Sequence, residues 1–448
     1  MRFQQSVTRR QFLQIAGMGA AAVGLAACAA PVAPAGAPAA SAPAAAGGGA
    51  AAAGSKLEIF SWWTAGGEVE GLNKLFEIYK RDNPGVEVIN AAVAANGAGQ
   101  GGEMKALLET RMLGGDPPES FQVHLGHELI DSHVVAGRME PLDDLYASEG
   151  WDKVFPPDLM NVIMYDGHPW SVPVNIHRSN LMWYRPGKLD AIGAKELPKD
   201  WDEFLVMAEA MKAKGIPAIA LAGAGGGGNG QTMECIILSV FGAKDWPGLF
   251  DGTIPWSDPR MTHALEIMNK LYDYAQPDYL SESGTGVNDM LMNDDGPFMM
   301  ISGDWLHGYY KSKNFKDYKW AASPGTDGIY LLLSDSFGLP KGVKYRDNAI
   351  AWLKVCGSKE GQDAFNPIKG SIPARTDADP SLYDEEQLWQ MEQWKTNTLV
   401  GSLQHGAAAK QSFLVDYDQK LNDMIASRDV AATQAALVQA AEDAEFGK

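Results

Sequence analysis

Two tryptophans stand side by side, Trp62 and Trp63, where the run Lys56-Leu57-Glu58-Ile59-Phe60 ends, and the small residues Thr64-Ala65-Gly66-Gly67 follow at once. Groups that exchange hydrogen bonds recur at comparable places. Glu68 lies just beyond the pair, Gln122 and His124 close Ser120-Phe121-Gln122-Val123-His124, Asp304 and Trp305 follow the apolar run 297–301, and Asp335 lies in Ser334-Asp335-Ser336. Any one of the 13 Trp and 14 Tyr is accounted for by packing, but together with these polar residues they have a chemistry. A neutral sugar presents apolar C–H faces and a rim of hydroxyls that both donate and accept. Its site therefore needs flat aromatic platforms ringed by Asp, Glu, Gln, His and Lys. Leaving one hydroxyl partner unpaired in a closed site costs about 1–3 kcal/mol, which is the origin of selectivity.

Other chemistries compete for the same residues. Glu68, Asp304 and Asp335 stand near expected strand ends, and a glycoside hydrolase needs two carboxylates flanking the scissile bond at a defined separation. No Gly-x-Ser-x-Gly elbow is present. The stretch "HLGHELIDSH" holds His124, His127, Asp131 and His133, but Asp131 occupies the place of the second histidine in His-Glu-x-x-His, so one site histidine among helix-surface histidines is expected and no metal. Gly223, Gly225 and Gly228 satisfy G-x-G-x-x-G, as almost any glycine-rich run does, and no Gly-Lys-Ser/Thr follows. A loop at a strand end that can line a cleft is expected there, and no cofactor.

These side chains need elements to hold them. Leu57 and Ile59 share one face of a strand, Leu72, Leu75, Phe76 and Tyr79 one face of a helix that Pro84-Gly85 breaks, and Val86–Ile89 reads as a second strand. A helix over Glu103–Met112 and a third strand at Ser120–His124 complete a parallel α/β unit. In open parallel sheets ligands sit beyond the carboxyl ends of the strands, so Trp62, Trp63, Gln122 and His124 can converge on one cleft. Further along, Trp201 opens a helix, Ile216–Leu221 reads as a buried strand, and the chain from about Tyr383 is mostly helical by pattern. No internal repeat of fixed period is present.

Charge and the N-terminus bound the cellular setting. The chain carries a formal charge of −19, and residues 1–27 contribute three Arg and no acid, so the remainder is more acidic still. An acidic body repels phosphate backbones and anionic lipid, which excludes nucleic acid as a partner. Arg9-Arg10 ahead of Phe12-Leu13, followed by a short uncharged core, makes residues 1–27 a secretory signal of twin-arginine type, too short for the roughly 20 apolar residues of a membrane span. Leu25-Ala26-Ala27-Cys28 resembles a bacterial lipobox, with Cys28 the lipidated residue, and 28–55 is an Ala/Pro/Gly/Ser tether. The about 390 residues that follow suit two lobes rather than one core. Cys235 and Cys356 are too far apart in sequence for a metal or redox pair, leaving buried thiols or a single bridge.

With these residues in place, the chain resembles the extracellular solute-binding proteins of ABC sugar importers, and among them the glucose/mannose-binding branch. The resemblance covers Lys56 to the C-terminal helices. Seven blocks carry it in order: Lys56–Trp63, "TRMLGGDPPESFQVH" (110–124), "WSVPVNIHRSNLMWY" (170–184), "SGDW" (302–305), "LLLSDSFGLPKG" (331–342), "GSKEGQDAFNPIKGSIPAR" (357–375) and "VGSLQHGA" (400–407). It implies an α/β, two-lobe periplasmic-binding-protein fold of type II-like form, with an N-lobe of 56–174 and 329–374, a C-lobe of 175–328 and 375–448, and a cleft between them. Carried over, the sugar contacts fall on Trp63 as a stacking platform, Glu68, Gln122 and His124 from the N-lobe, Trp305 as a second aromatic, Asp335 and Lys369 near the crossings, and His405 from the C-terminal segment. Trp62 is then expected to pack within its lobe. The glycine tract lacks the bulky residue that relatives often carry there. The function implied is a monomeric, exported, lipid-anchored receptor that closes on glucose or mannose and delivers it to a membrane permease, without catalysis. The alternatives are a lipid-anchored glycoside hydrolase using Glu68, Asp304 or Asp335, and a receptor for an oligosaccharide, polyol or glycerol phosphate, the last disfavoured by the acidic balance.

Overall fold

Lys56–Phe60 is a strand with Leu57 and Ile59 buried on one face, and the expected alternation follows it: helix Gly66–Asp82, strand Glu87–Asn90, helix Gly102–Leu113, strand Ser120–His124. The first strand pairs in parallel with both others, Leu57 opposite Val88 and Phe60 opposite Phe121. Helix Gly66–Asp82 covers them with Leu72, Leu75, Phe76 and Tyr79, the 3.6-residue stripe of the sequence. This computed structural model describes residues 55–93, 102–223, 228–283 and 286–447, and Ala51–Lys448 form one unit. The export signal, Cys28, the tether to residue 54 and Gly225 lie outside the described residues.

Two later strands complete the sheet. Asp335–Gly338 runs antiparallel to Ser120–His124 and sets Asp335 opposite His124 and Phe337 opposite Gln122, and Ser171–Pro173 pairs beyond it. This sheet and its helices hold one apolar core, which includes Trp63, Phe121, Phe337, Trp352 and Phe365.

A second body of apolar residues forms about the antiparallel strands Lys319–Ala322, Leu181–Tyr184 and Met299–Ser302. Strand alternation divides their side chains: Met182, Met299 and Ile301 enter one cluster, Leu181, Trp183 and Met300 another. Helix Trp201–Lys212 starts where expected, because the Asp200 side chain accepts from the Glu203 N–H at 2.8 Å. One expectation is corrected. Ile216–Leu221 is not a strand, though Ala218–Leu221 is buried, and within it Ile219 makes isolated bridges, to Ala275 and Met299. Pro217 has no N–H for a ladder, and Ala218 and Ala220 donate instead to Tyr274 and Met299 carbonyls, each at 2.8 Å. Helices Glu385–Thr396, Gln411–Ser427 and Val430–Asp443 make up most of the C-terminal part, with one strand, Thr398–Gly401, among them.

Between the bodies lies a three-stranded sheet of Thr398–Gly401, Ile329–Leu333 and His177–Arg178. Its central strand serves both: Ile329 and Leu331 enter one core, Tyr330 and Leu332 the other. Helices from both sides also meet closely. A Cβ on Gly67 would sit 2.4 Å from the Ile368 carbonyl oxygen, and one on Gly308 2.2 Å from that of Lys369, so only glycine permits helices Gly66–Asp82 and Trp305–Ser312 to approach the end of Lys359–Lys369. Cys235 and Cys356 are free thiols, buried in different cores. Among the described residues, no helix is long and apolar enough to cross a membrane.

Candidate functional site

Asp335 is the centre of a buried polar cluster at the junction of the two bodies. Its Oδ1 accepts from Gln122 Nε2 at 2.9 Å and its Oδ2 from Asn175 Nδ2 at 2.8 Å, while the Asn175 Oδ1 takes the Asp335 backbone N–H at 2.8 Å. His177 Nε2 lies 3.1 Å from the same Oδ2, and the Nδ1 of that ring bonds Asp304. A carboxylate from each side of the molecule thus holds one imidazole. Burial opposes charge on His177, but Asp304 and the hydrogen bonds to both carboxylates outweigh it and lift the imidazole above its ordinary value. Burial would likewise raise Asp335, yet the bond and charge of His177, with Lys369 and His124 nearby, hold it far below the usual carboxylate range.

His124, on the strand beside Asp335, places Nδ1 2.7 Å from Glu128 Oε2 and Nε2 3.8 Å from Asp335 Oδ1. Lys105 bonds the same Glu128 oxygen at 2.9 Å. Despite burial, His124 and Lys105 lower Glu128 to about 2, so it is ionised and accepts a hydrogen bond from His124 Nδ1–H. The His405 ring packs edge-on against His124 at 5.3 Å. Burial, with His124 and Lys105 close by, pushes His405 well below its ordinary value and keeps it neutral. Its Nδ1 lies 2.8 Å from Ser402 Oγ, which is 3.0 Å from each Glu234 oxygen. With Glu234 ionised, Ser402 donates to the carboxylate and accepts Nδ1–H, leaving His405 Nε2 as an acceptor. Burial raises Glu234 itself to about 7.

The aromatics frame this cluster. The chain leaves the strand at Phe60, and Ser61 Oγ then takes the Trp63 N–H at 2.9 Å while donating to Gln122 Oε1 at 3.0 Å. Trp63 is fully enclosed between Phe365, at 5.1 Å, and Phe337, at 5.9 Å, with Lys369 Nζ 5.6 Å from its ring, and its indole N–H has no partner. Trp62 stands 5.1 Å from the His124 ring and has Lys105 over its face. From the other body, Trp305 stands 5.5 Å from His177 and 5.3 Å from His405. Lys369, at the end of its helix, donates to Glu68 at 2.8 Å.

Trp63, Glu68, Gln122, His124, Trp305, Asp335, Lys369 and His405 therefore form one connected set, linked through Ser61 and His177. The indoles divide differently from the expectation: Trp63 is the more deeply packed and Trp62 adjoins His124. Sequence reasoning assigned no role to Asn175, His177, Lys105, Glu128 or Ser402. Asn175 and His177 are the polar residues of the otherwise apolar Val172–Ile176 stretch and its end, and Glu234 is a lone carboxylate in Met233-Glu234-Cys235-Ile236-Ile237-Leu238, which was the available signal. His127 pairs with Asp131 at 3.3 Å, half-exposed, and His133 is buried against Phe121. No group of three or more His, Cys, Asp and Glu among the described residues is placed to hold a metal.

The ions inside the cluster pair off: Glu68 with Lys369, Glu128 with Lys105, His177 with Asp304 and Asp335. Among the described residues of the cluster, that leaves hydroxyl-sized donors and acceptors but no spare cation for an anion. Residues 65–363 match the model of the family described as bacterial extracellular solute-binding protein. An uncharacterised ABC transporter extracellular-binding protein of Pyrococcus horikoshii is 31% identical over 385 residues, 85% of this chain and 86% of that one. A protein of Brucella suis named "Probable sugar-binding periplasmic protein" is 30% identical over 404 residues, 86% of this chain and 92% of that one. Among solved structures, the bacterial solute receptor AcbH, described with an exclusive substrate preference for β-D-galactopyranose, superposes with a TM-score of 0.76 at 19% identity, covering 87% of this chain and 98% of that one. That likeness shows the two-lobe fold.

Proposed function

From the premise that this chain belongs to the bacterial extracellular solute-binding proteins, we propose that it is a sugar receptor of an ABC importer, which binds a monosaccharide, glucose or mannose, in the cluster around Asp335. The observation that carries this reading is the composition of the cluster: paired charges, several hydroxyl-sized hydrogen-bonding groups with spare capacity, and indoles around them. Gln122 has an N–H left, His124 and His405 each have an Nε2, and the Trp63 N–H has no partner. Trp63, Glu68, Gln122, His124, Trp305, Asp335, Lys369 and His405 are the proposed contacts, with Trp62 added to the platform.

The proposed lobes are 56–174 with 329–374 and 175–328 with 375–448, moving about the three-stranded sheet between them. Sugar touches both only when they close, and so shifts the population toward the closed form. The permease would read that closed shape, and a lipid on Cys28 with the tether 28–55 would keep a monomeric receptor near it. Catalysis is not part of the reading. Asp335 and Asp304 are both committed to His177, and Asp335 is held too acidic to carry a proton to a leaving group.

Titration calorimetry and thermal shift on the full-length protein test it, with glucose, mannose, galactose, xylose, maltose and glycerol phosphate. A true ligand at a thousandfold excess over Kd adds about 4 kcal/mol of stability. A large shift with glucose or mannose is expected. Release of product from aryl glycosides, or a response to glycerol phosphate alone, would sink the reading.

A further inference from the structure

Glu234, on helix Gly228–Asp245, is fully enclosed, and the small sheet between the bodies supplies its partners. Ser179, after strand His177–Arg178, donates to its Oε1 at 2.7 Å, and the Gln404 N–H donates to its Oε2 at 3.0 Å. Ser402 Oγ, after strand Thr398–Gly401, lies 3.0 Å from both oxygens, 2.8 Å from His405 Nδ1, and takes the His405 backbone N–H at 3.3 Å. Backbone bonds to the Leu331 and Leu332 carbonyls, at 2.8 and 2.9 Å, tie Ser179 and Ser402 to the central strand.

The protons of this chain have two arrangements. Ser402 has one hydroxyl proton and gives it either to Glu234 or to His405. With Glu234 ionised the carboxylate receives it, Nδ1 carries the imidazole proton and Nε2 accepts. With Glu234 protonated, the carboxyl must donate. Ser179 cannot take that bond, because its oxygen already receives Gln231 Nε2–H at 3.1 Å and its own proton has Glu234 as acceptor. Ser402 can, by turning its proton to Nδ1. The imidazole, which burial keeps neutral, then exchanges its proton with water from Nδ1 to Nε2 and becomes a donor there. One proton is taken up in all, by Glu234, and burial, which raises that group to about 7, sets the change near neutral pH. Other groups face the pair: His124, Lys105, Glu128 and His177 around His405, Cys235 and Tyr417 around Glu234, and Asp418 through Gln404. Removing the Ser402 hydroxyl cuts the relay and leaves all of them in place.

We propose that Glu234 is a positioning residue, which through Ser402 sets whether His405 Nε2 meets a sugar hydroxyl as donor or as acceptor. The inference rests on the proposed role of His405 in sugar binding and gives that contact a direction. Asp335, ionised, only accepts, and a hydroxyl has one proton. Beside a second acceptor it leaves one group unmet, whereas beside a donor it satisfies both. Sugar therefore binds the form with Glu234 protonated more tightly, and by linkage its binding takes up a proton.

Nitrogen NMR of the full-length protein with isotope-labelled histidine tests the relay without sugar, and calorimetry with glucose and mannose tests its use. Between about pH 8.5 and 5.5 the His405 signals, assigned by their loss in His405→Gln, should move the protonated position from Nδ1 to Nε2 with a midpoint near 7. In Ser402→Ala that exchange should be absent. Wild-type affinity should be at least about threefold tighter at pH 6 than at pH 8, with buffer-dependent heats that report proton uptake, and Ser402→Ala should reduce that ratio about threefold, leaving what His177 and Asp418 contribute. A His405 tautomer that stays the same across the range in the wild type would overturn the proposal, whether or not the variant folds. So would a ratio unchanged in Ser402→Ala, or tighter binding at pH 8, and in these cases sugar binding would leave the receptor reading intact. No binding of either sugar at any pH would overturn that reading, and the recognition role of Glu234 with it, even where the tautomer exchange is seen.

Discussion

A carboxylate that accepts from Gln122, Asn175 and His177 has little capacity left, and that capacity is what a sugar hydroxyl would use. Asp335→Asn keeps the shape but removes the charge that holds the His177 imidazolium. Breaking one partner of such a buried pair costs about 3–5 kcal/mol, so denaturant unfolding should show a loss of that order and calorimetry at least a tenfold loss of sugar affinity. In a double-mutant cycle with His177→Gln, the coupling should be large, because each single change already strands the other group. Glu234 contributes to the pH dependence. Its folded-state value is raised from 4.5 to about 7 by burial, so the unfolded chain releases this proton first. Its contribution is then full below about pH 4.5 and falls as pH rises to about 7, by on the order of 3 kcal/mol. His177, raised from its ordinary 6.5, acts in the same direction at higher pH: its contribution is full below that value and is lost as pH rises through the folded one. Glu234→Gln should lessen the slope between pH 4.5 and 7 in denaturant titrations, leaving the part that Asp418, raised to about 6 by burial, contributes, and leaving the later one. A slope unchanged in that variant would assign it to another group.

Helices position Lys369 only because two glycines let them in. Lys359–Lys369 ends under Gly67 and Gly308, and Gly370, at φ +92, turns the chain away. A methyl at Gly308 cannot be accommodated against a backbone oxygen 2.2 Å away, so helix Trp305–Ser312 must shift and Trp305 with it. Gly308→Ala should lower stability by about 1–3 kcal/mol, the range for overpacking, and weaken sugar binding. Gly85→Ala is the comparison: nothing lies within 4 Å of its Cβ position, though its φ of +97 carries strain, so any stability loss there should leave sugar affinity untouched. Equal affinities for Gly308→Ala and wild type would separate Trp305 placement from recognition.

At the scale of the whole molecule, the groups proposed to touch sugar come from both sides of one small sheet, so under the proposed function binding and closure are one event. Small-angle scattering should show the full-length protein becoming more compact with saturating glucose or mannose, and His177→Gln, which cuts the link from Asp335 to Asp304, should reduce that change. Because the site's charges pair internally, affinity for a neutral sugar should change little between 0.05 and 0.5 M salt, on the order of twofold. A steep salt dependence would point to an ionic ligand instead.

The sequence by itself determined the local elements and supplied the residue types on which the proposed site rests. The periods of two and 3.6 residues are written in neighbouring side chains, so Lys56–Phe60, the helix after it and Ser120–His124 were legible, as were the aromatic and polar types that suit a sugar. Only the tertiary structure decided which groups meet. His177 bonds Asp304 across 127 residues and Asp335 across 158, and no local pattern records such a pairing. It decided also that Trp63 is enclosed by Phe337 and Phe365 while Trp62 lies beside His124, and that Ile216–Leu221 stays outside a ladder. The reason is the same in each case: propensity and periodicity act between near neighbours, whereas hydrogen-bond satisfaction in a buried cluster is settled by whatever chain the fold brings alongside.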